Sequence, residues 1–140
     1  MAKSSLKTLV RVQKFNIDEQ RKLLNEQLEV EDKIMQGIKA LEDELAQEKA
    51  FAEKHPEIGD FGAYFKRYQK QREGLETALQ MVRRKIDEIQ DKIAEMFKEQ
   101  KTFEIVDKNR EQQAIKEEEH KMQQTLDEIG TNNYIKQQKQ

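Results

Sequence analysis

From residue 61 to residue 103, the apolar positions fall at alternating steps of four and three: Phe61, Phe65, Tyr68, Arg72, Leu75, Leu79, Val82, Ile86, Ile89, Ile93, Met96, Gln100 and Phe103. Eleven of these thirteen are apolar, and the residues between them are mostly Glu, Lys, Arg, Gln and Asp. A seam repeating every 3.5 residues over about six heptads implies a coiled coil. A lone surface helix would carry a wider stripe that drifts toward a period of 3.6.

The first half is rougher. Val10, Ile17, Leu24, Leu28, Met35 and Ile38 follow one frame, with Arg21 and Glu31 as polar members. Leu41, Leu45 and Ala52 continue after a step of three plus three, an overwinding of the stammer kind. Ser4 or Ser5 can cap this helix.

Between the halves lies AEKHPEIGDFGAYFKR, residues 52–67, with the only proline, Pro56. The residue before a proline avoids the α region, so the first helix should stop near Lys54. Asp60 is suited to cap the second. A fold-back here makes an arithmetic demand, because opposed residues of an antiparallel pair have a constant index sum. Ala52 opposite Phe61 gives 113. Within one, the same sum pairs Leu45 with Tyr68, Ile38 with Leu75, Leu24 with Ile89 and Val10 with Phe103. Charge agrees: residues 66–85 carry seven basic and two acidic side chains, and residues 30–49 carry six acidic and three basic. The expected fold is all-α, a long antiparallel two-helix coiled-coil hairpin with a C-terminal helical overhang. It forms a single coiled-coil domain: helix 1 over about 5–54, a turn at 55–60, helix 2 over about 61–129 and a disordered tail at 130–140. The paired part should be roughly 70 Å long and the overhang about 30 Å. Gly130 is the expected C′ stop, and Ile115, Met122, Leu126 and Ile129 form a weak second seam on the overhang.

Composition narrows the function. Charged residues are 39% and apolar residues 35% of the chain, too little apolar material for a compact globule. Without cysteine there is neither a disulfide framework nor a thiolate metal site, which suits a reducing cytoplasm. The opening MAKSSLKTLVRVQKF lacks the apolar core of a secretory leader, and no stretch approaches a membrane span. A net charge of −2 argues against a general nucleic-acid binder. Neither a glycine-rich phosphate loop nor HExxH is present, and His55 and His120 are too far apart in the hairpin to share a metal. No enzymatic activity, metal or cofactor is expected.

Five of the nine aromatics gather at the corner: Phe51, Phe61, Tyr64, Phe65 and Tyr68. Phe61, Phe65 and Tyr68 fit the seam and plug its end. Phe51 and Tyr64 lie off it and suit an exposed docking patch. Gly37 and Gly74 fall at nearly one level, implying a flexible waist, a close approach by a partner, or coincidence. Arg72 would face Leu41 with its head in water.

Three segments resemble the FliJ family, the small coiled-coil component of the bacterial flagellar type III export apparatus. SLKTLVRVQKFNIDEQRKLL (5–24) is similar to its N-terminal helix, GDFGAYFKRYQKQREGLETAL (59–79) to its segment after the corner, and MFKEQKTFE (96–104) to its late second-helix run. The resemblance covers most of residues 5–105. It implies a stalk-like, non-enzymatic component, cytoplasmic and peripheral at the inner-membrane export apparatus. Its implied partners are the hexameric export ATPase, the cytoplasmic domain of the export gate and export chaperones. Membrane association would come only through partners, nucleic acid is not a partner, and the isolated protein is expected to be a monomer. The implied ATPase-side residues are Leu9, Val12, Phe15, Phe97, Lys101 and Phe103. The gate-side set carried over is Gln71, Leu75, Ala78 and Val82, to which the corner patch adds Phe51 and Tyr64. Gln71 stands where a larger apolar residue is expected. A prefoldin-like or secretion chaperone holding clients, or a structural coiled-coil dimer, would share the same periodicity.

Overall fold

The structure, a computed structural model, describes residues 2–138, with side chains described from Leu6 onward. It is an all-α hairpin of two helices packed against each other. The first, α1, runs over Ala2–Lys54 and the second, α2, over Phe61–Gln138. Helix α1 begins at Ala2, and the side chains of Ser4 and Ser5, the expected caps, lie outside the described residues.

The corner forms for the reasons its sequence supplies. The amide of His55 still donates to the carbonyl of Phe51, at 2.9 Å, and Pro56 has no amide to carry the ladder further. The amide of Ile58 donates to the carbonyl of His55, closing a turn around Pro56 and Glu57. Gly59 has φ +78°, a left-handed conformation open to glycine at little cost. Asp60 then caps α2, its Oδ1 accepting from the Ala63 amide at 3.2 Å.

The chain divides into two compact units. One comprises residues 16–96 and the other residues 1–15 with 97–140.

In the corner unit, the seam of α2 follows the expected frame closely. Tyr68, Val82 and Ile86 are buried, and Phe61, Arg72, Leu75, Leu79, Ile89, Ile93 and Met96 are half-buried. Phe65 departs, being 36% exposed, while Tyr64 is half-buried in its stead. The corner lets α1 cover the Tyr64 side of α2's first turn and leaves Phe65 at the edge.

The α1 seam corrects the sequence reading. The seam positions covered in this unit are Ile17, Gln20, Leu24, Gln27, Glu31, Ile34, Ile38, Leu41, Leu45 and Ala52, with Asn16, Glu19 and Gly37 half-buried beside them. From Ile17 to Leu45 steps of three and four alternate, so the stammer does not exist, and only Glu48, between Leu45 and Ala52, is exposed. Arg21, Leu28 and Met35, expected on the seam, are exposed shoulder residues, with Leu28 at 39% and Met35 at 47%. The expected frame selected the bulkiest apolar side chain within reach. The helix instead keeps its period and accepts glutamine at the seam, because the long amide side chain lays its methylenes on the partner and leaves its head at the edge. Register follows the index sum of 113 to within one. Arg72 Nη1 meets Glu42 Oε1 at 2.7 Å and Arg83 Nε meets Glu31 Oε2 at 3.2 Å. A methyl built on Gly37 would lie 3.4 Å from Leu75 Cδ1.

In the unit holding the chain ends, Leu6 and Gln13 are buried and Val10, Gln100, Phe103, Val106, Asp107 and Glu111 half-buried. Gln13 Nε2 donates to Glu99 Oε2 at 2.6 Å, the same register. This end of the seam is polar, and among the described residues one side-chain oxygen each of Gln100 and Asp107 is buried without a hydrogen-bond partner. Such groups cost free energy, where an apolar pair would contribute it. Beyond Glu111, α2 continues alone and every described residue is exposed.

Two expectations about the C-terminal stretch are overturned. Helix α2 does not stop at Ile129, and residues 130–138 are helical, not disordered. A C′ glycine ends a helix by turning left-handed, and among the described residues only Gly59 has positive φ. Gly130 keeps helical geometry at a cost of about 1 kcal/mol relative to alanine, and Gln138 Nε2 donates back to Tyr134 Oη at 2.8 Å. Lys139 and Gln140 lie outside the described residues.

Candidate docking surfaces

The two flanks of the corner unit differ in kind. On one flank lie two ion pairs that cross between the helices in this unit, Arg72 with Glu42 and Arg83 with Glu31. Arg72 is the hub there. It donates to the hydroxyl of buried Tyr68 at 2.7 Å and to Glu76 at 2.9 Å. The hydrogen bond to Tyr68, then that to Glu76, with Glu42 adding to them, hold the guanidinium pKa even higher than usual. Leu28 and Met35 are on this flank, and Met35 Sδ lies 3.9 Å from Arg83.

The opposite flank has small and apolar residues in place of cross-helix ion pairs. Heptad positions next to the seam place Leu23, Val30, Gly37, Glu44 and Phe51 there on α1, and Tyr64, Gln71, Ala78 and Lys85 on α2. The six residues expected on the gate side edge this flank: Phe51, Tyr64, Gln71, Leu75, Ala78 and Val82. They differ in access. Val82 is buried at 7% and supports the surface from beneath. Leu75 and Ala78 are half-buried, and Gln71 and Phe51 are exposed. Tyr64, expected to be exposed, is half-buried against α1, because the seam at the corner tilts toward it. Its partial burial first, then the carboxylates of Glu44 and Glu48, push its phenol pKa up. Phe51 stacks at a tilt on His55, with ring centroids 4.8 Å apart.

Sequence reasoning missed two members of this surface, Val30 and Met81, 41% and 58% exposed. The signal was available in the seam frame, which puts Val30 next to Glu31 and Met81 next to Val82. Gly37 and Gly74 are also explained in part. Neither is required by packing within the chain, since a methyl at Gly74 would meet nothing within 4 Å and one at Gly37 would make an ordinary contact. The result is a low, smooth stretch bounded by apolar side chains, where a partner's backbone can come close.

In the unit of the chain ends, the six residues expected on the ATPase side do not form one patch. Leu9 and Val12 lie on one flank and Phe15 on the outer face of α1, at 43%, 49% and 64% exposure. Phe97 and Lys101 are on the other flank of α2, beside a shallow groove lined by Lys7, Val10, Arg11, Glu104, Asp107, Lys108 and Glu111. Phe103 is in the seam between them and is half-buried. The expected second seam of the overhang is on the surface: Ile115, Met122, Leu126 and Ile129 are all more than half exposed.

Among the described residues, no cluster of three or more His, Asp or Glu is placed to hold a metal ion, and no helix is long and apolar enough to cross a membrane. Compared with protein-family models, with curated proteins and with solved structures, the chain matches none.

Proposed function

We propose that this chain is a non-enzymatic, stalk-like component of a flagellar type III export apparatus, linking a hexameric export ATPase to the cytoplasmic domain of the export gate and assisting export chaperones at the inner membrane. The observation that carries the reading is the asymmetry of the corner unit. The ion pairs Arg72–Glu42 and Arg83–Glu31, which join its two helices, lie on one flank, and the residues that the FliJ resemblance assigns to the gate edge the other. A seam of two positions per heptad leaves no interior cavity in which a catalytic group could be desolvated, but it holds both flanks in fixed register. Such an element presents surfaces and transmits position without chemistry.

The test has two arms. The purified chain is mixed with the hexameric export ATPase from the same genome, and retention and hydrolysis rate are measured. The gate's cytoplasmic domain is titrated against the wild type and against Ala78→Glu, which puts a carboxylate on the smooth flank. The reading expects ATPase retention or stimulation, and gate binding weakened at least tenfold by Ala78→Glu. It fails if no ATPase is retained or stimulated and the gate domain does not bind.

One observation favours a second reading, that of a secretion chaperone. The overhang presents Ile115, Met122, Leu126 and Ile129 to solvent, as a client-holding helix would. On that reading, truncation after Glu111 abolishes client binding and leaves gate binding intact.

A further inference from the structure

The smooth flank of the corner unit is about 42 Å long from Leu23 to Phe51, at 1.5 Å rise per residue. Two helices wide, it offers about 800 Å² per molecule, the share one partner gives to a standard interface. Its charges stand among its apolar residues. At the corner, Phe51, Tyr64, Glu48 and Arg67 line one cavity of about 240 Å³, and Glu44 is close enough to help push up the Tyr64 phenol pKa. At the far end, Leu23 shares a groove with Glu88 and Lys92. Between them, Lys85 is on the flank, and Glu26 lies three residues after Leu23 and four before Val30, on their side of α1. Among the described residues, none of Glu26, Glu44, Arg67 and Lys85 has an ion-pair partner within the chain.

The index sum of 113 fixes which residues share a level, and the cross-helix pairs Arg72–Glu42 and Arg83–Glu31 keep it to within one. A second hairpin laid flank to flank can point either way. With both corners at the same end, α1 of each molecule faces α2 of the other at the same level. Phe51 then meets Tyr64, Val30 meets Met81, Glu44 meets Arg67 and Glu26 meets Lys85, each within two of the sum. Gly37 falls between Gly74 and Ala78 of the other molecule, small against small. With the corners at opposite ends and the flanks fully overlapped about Gly37, each helix faces its own copy. Arg67 then falls opposite Lys85, and Glu26 opposite Glu48, like charge against like.

We infer that the occupant of the smooth flank is a second copy of this chain, lying alongside with its corner at the same end. The two-fold axis runs along the rods, so the contact is isologous and closes at two. Phe51 on Tyr64 and Val30 on Met81 supply apolar attraction, each made twice in the pair. Glu44 with Arg67 and Glu26 with Lys85 set the orientation and exclude the reversed one. The missing side chains of Gly37 and Gly74 leave the two backbones room to approach between these contacts. The inference does not depend on the export reading, and it makes the isolated chain a monomer only when dilute. If both hold, self-pairing covers Phe51, Tyr64 and Ala78, and the gate and the second copy compete for them.

The experiment uses the full chain and light scattering across a concentration series, with circular dichroism to verify folding. The monomer mass is 16.7 kDa, and the expected result is a doubled mass at high protein. Glu44→Lys and Arg67→Glu, made singly, each place like charges together twice in the pair and should raise the dissociation constant about tenfold or more. Combined in one chain, or mixed as two chains, they restore opposite charge and should recover the wild-type value to within about threefold. The chain has no cysteine, so a single spin label on Glu57→Cys reports orientation. The two labels should lie within about 30 Å of each other, three helix diameters, against about 60 Å in the reversed pair. A monomer at every concentration overturns the inference. So does a dimer indifferent to both single variants, a folded double variant that stays monomeric, or labels at the longer spacing. Neither ATPase nor gate is present, so failure here is distinct from failure of the export reading.

Discussion

Replacing Ile34 or Met35 by alanine decides between the seam in the structure and the one implied by apolar bulk. The two residues are adjacent, helical and of similar size. Ile34 is half-buried on the seam and Met35 is 47% exposed on its shoulder. Each substitution removes three heavy atoms beyond Cβ. At about 0.8 kcal/mol per buried methylene, Ile34→Ala loses roughly 2 kcal/mol, with a smaller addition for the gap it leaves. Alanine's better helix propensity returns about 0.4 kcal/mol, for a net loss of about 2 kcal/mol. Met35→Ala removes atoms only about half covered, so its transfer loss is roughly 1 kcal/mol, and propensity brings it below about 1 kcal/mol. Urea unfolding followed by circular dichroism at a common slope measures both. The reasoning predicts that Ile34→Ala is the costlier by about 1 kcal/mol. If Met35→Ala costs as much or more, the uninterrupted heptad is wrong and the stammered frame returns.

Other expectations follow from individual positions. Gly74→Ala should stabilise by about 1 kcal/mol, since a methyl there meets nothing within 4 Å and only the helix propensity changes; a loss in urea unfolding would contradict this. Gly130→Ala should raise helicity at 222 nm, whereas a true stop at Gly130 would make the substitution neutral or unfavourable. Gly59→Ala should cost about 1–2 kcal/mol because its φ of +78° is left-handed. The Tyr64 phenol should ionise above the ordinary phenol range in an ultraviolet titration, and Tyr64→Phe should remove that component. With its folded pKa raised, Tyr64 favours the folded state below the ordinary phenol pKa, and that contribution is lost as pH climbs through the folded value.

The corner and α2 were legible because their signals are local and strong. Pro56, Asp60 and Gly59 act within a few residues, and the α2 seam is filled almost throughout by aliphatic or aromatic residues. The α1 frame was harder to read because three of its seam positions are glutamine. Gln13, Gln20 and Gln27 recur every seven residues and mark the seam by spacing alone, while Leu28 and Met35 beside it are conspicuous. Tyr64 and Phe65 could not be told apart from the chain, since which one faces α1 depends on how the corner tilts the helices. The flank asymmetry was half visible. Opposite charge in residues 30–49 and 66–85 was evident, but its confinement to one flank depends on Arg72 and Arg83 both leaning the same way. Gly130 misled because glycine's role at a helix end is set by its φ, which the sequence leaves open.

The corner also fixes an order of events during synthesis. Ala52 meets its level, Phe61, nine residues later, but Ile17 is level with Met96, 79 residues further along the chain. At about 5–20 residues per second, the nascent α1 holds Ile17 without its partner for roughly 4–16 s, and the loop to be closed is longest for the residue made first. Seam glutamines in the early part of α1 keep that waiting surface less adhesive on the ribosome, and zippering then runs from the bend back toward the beginning.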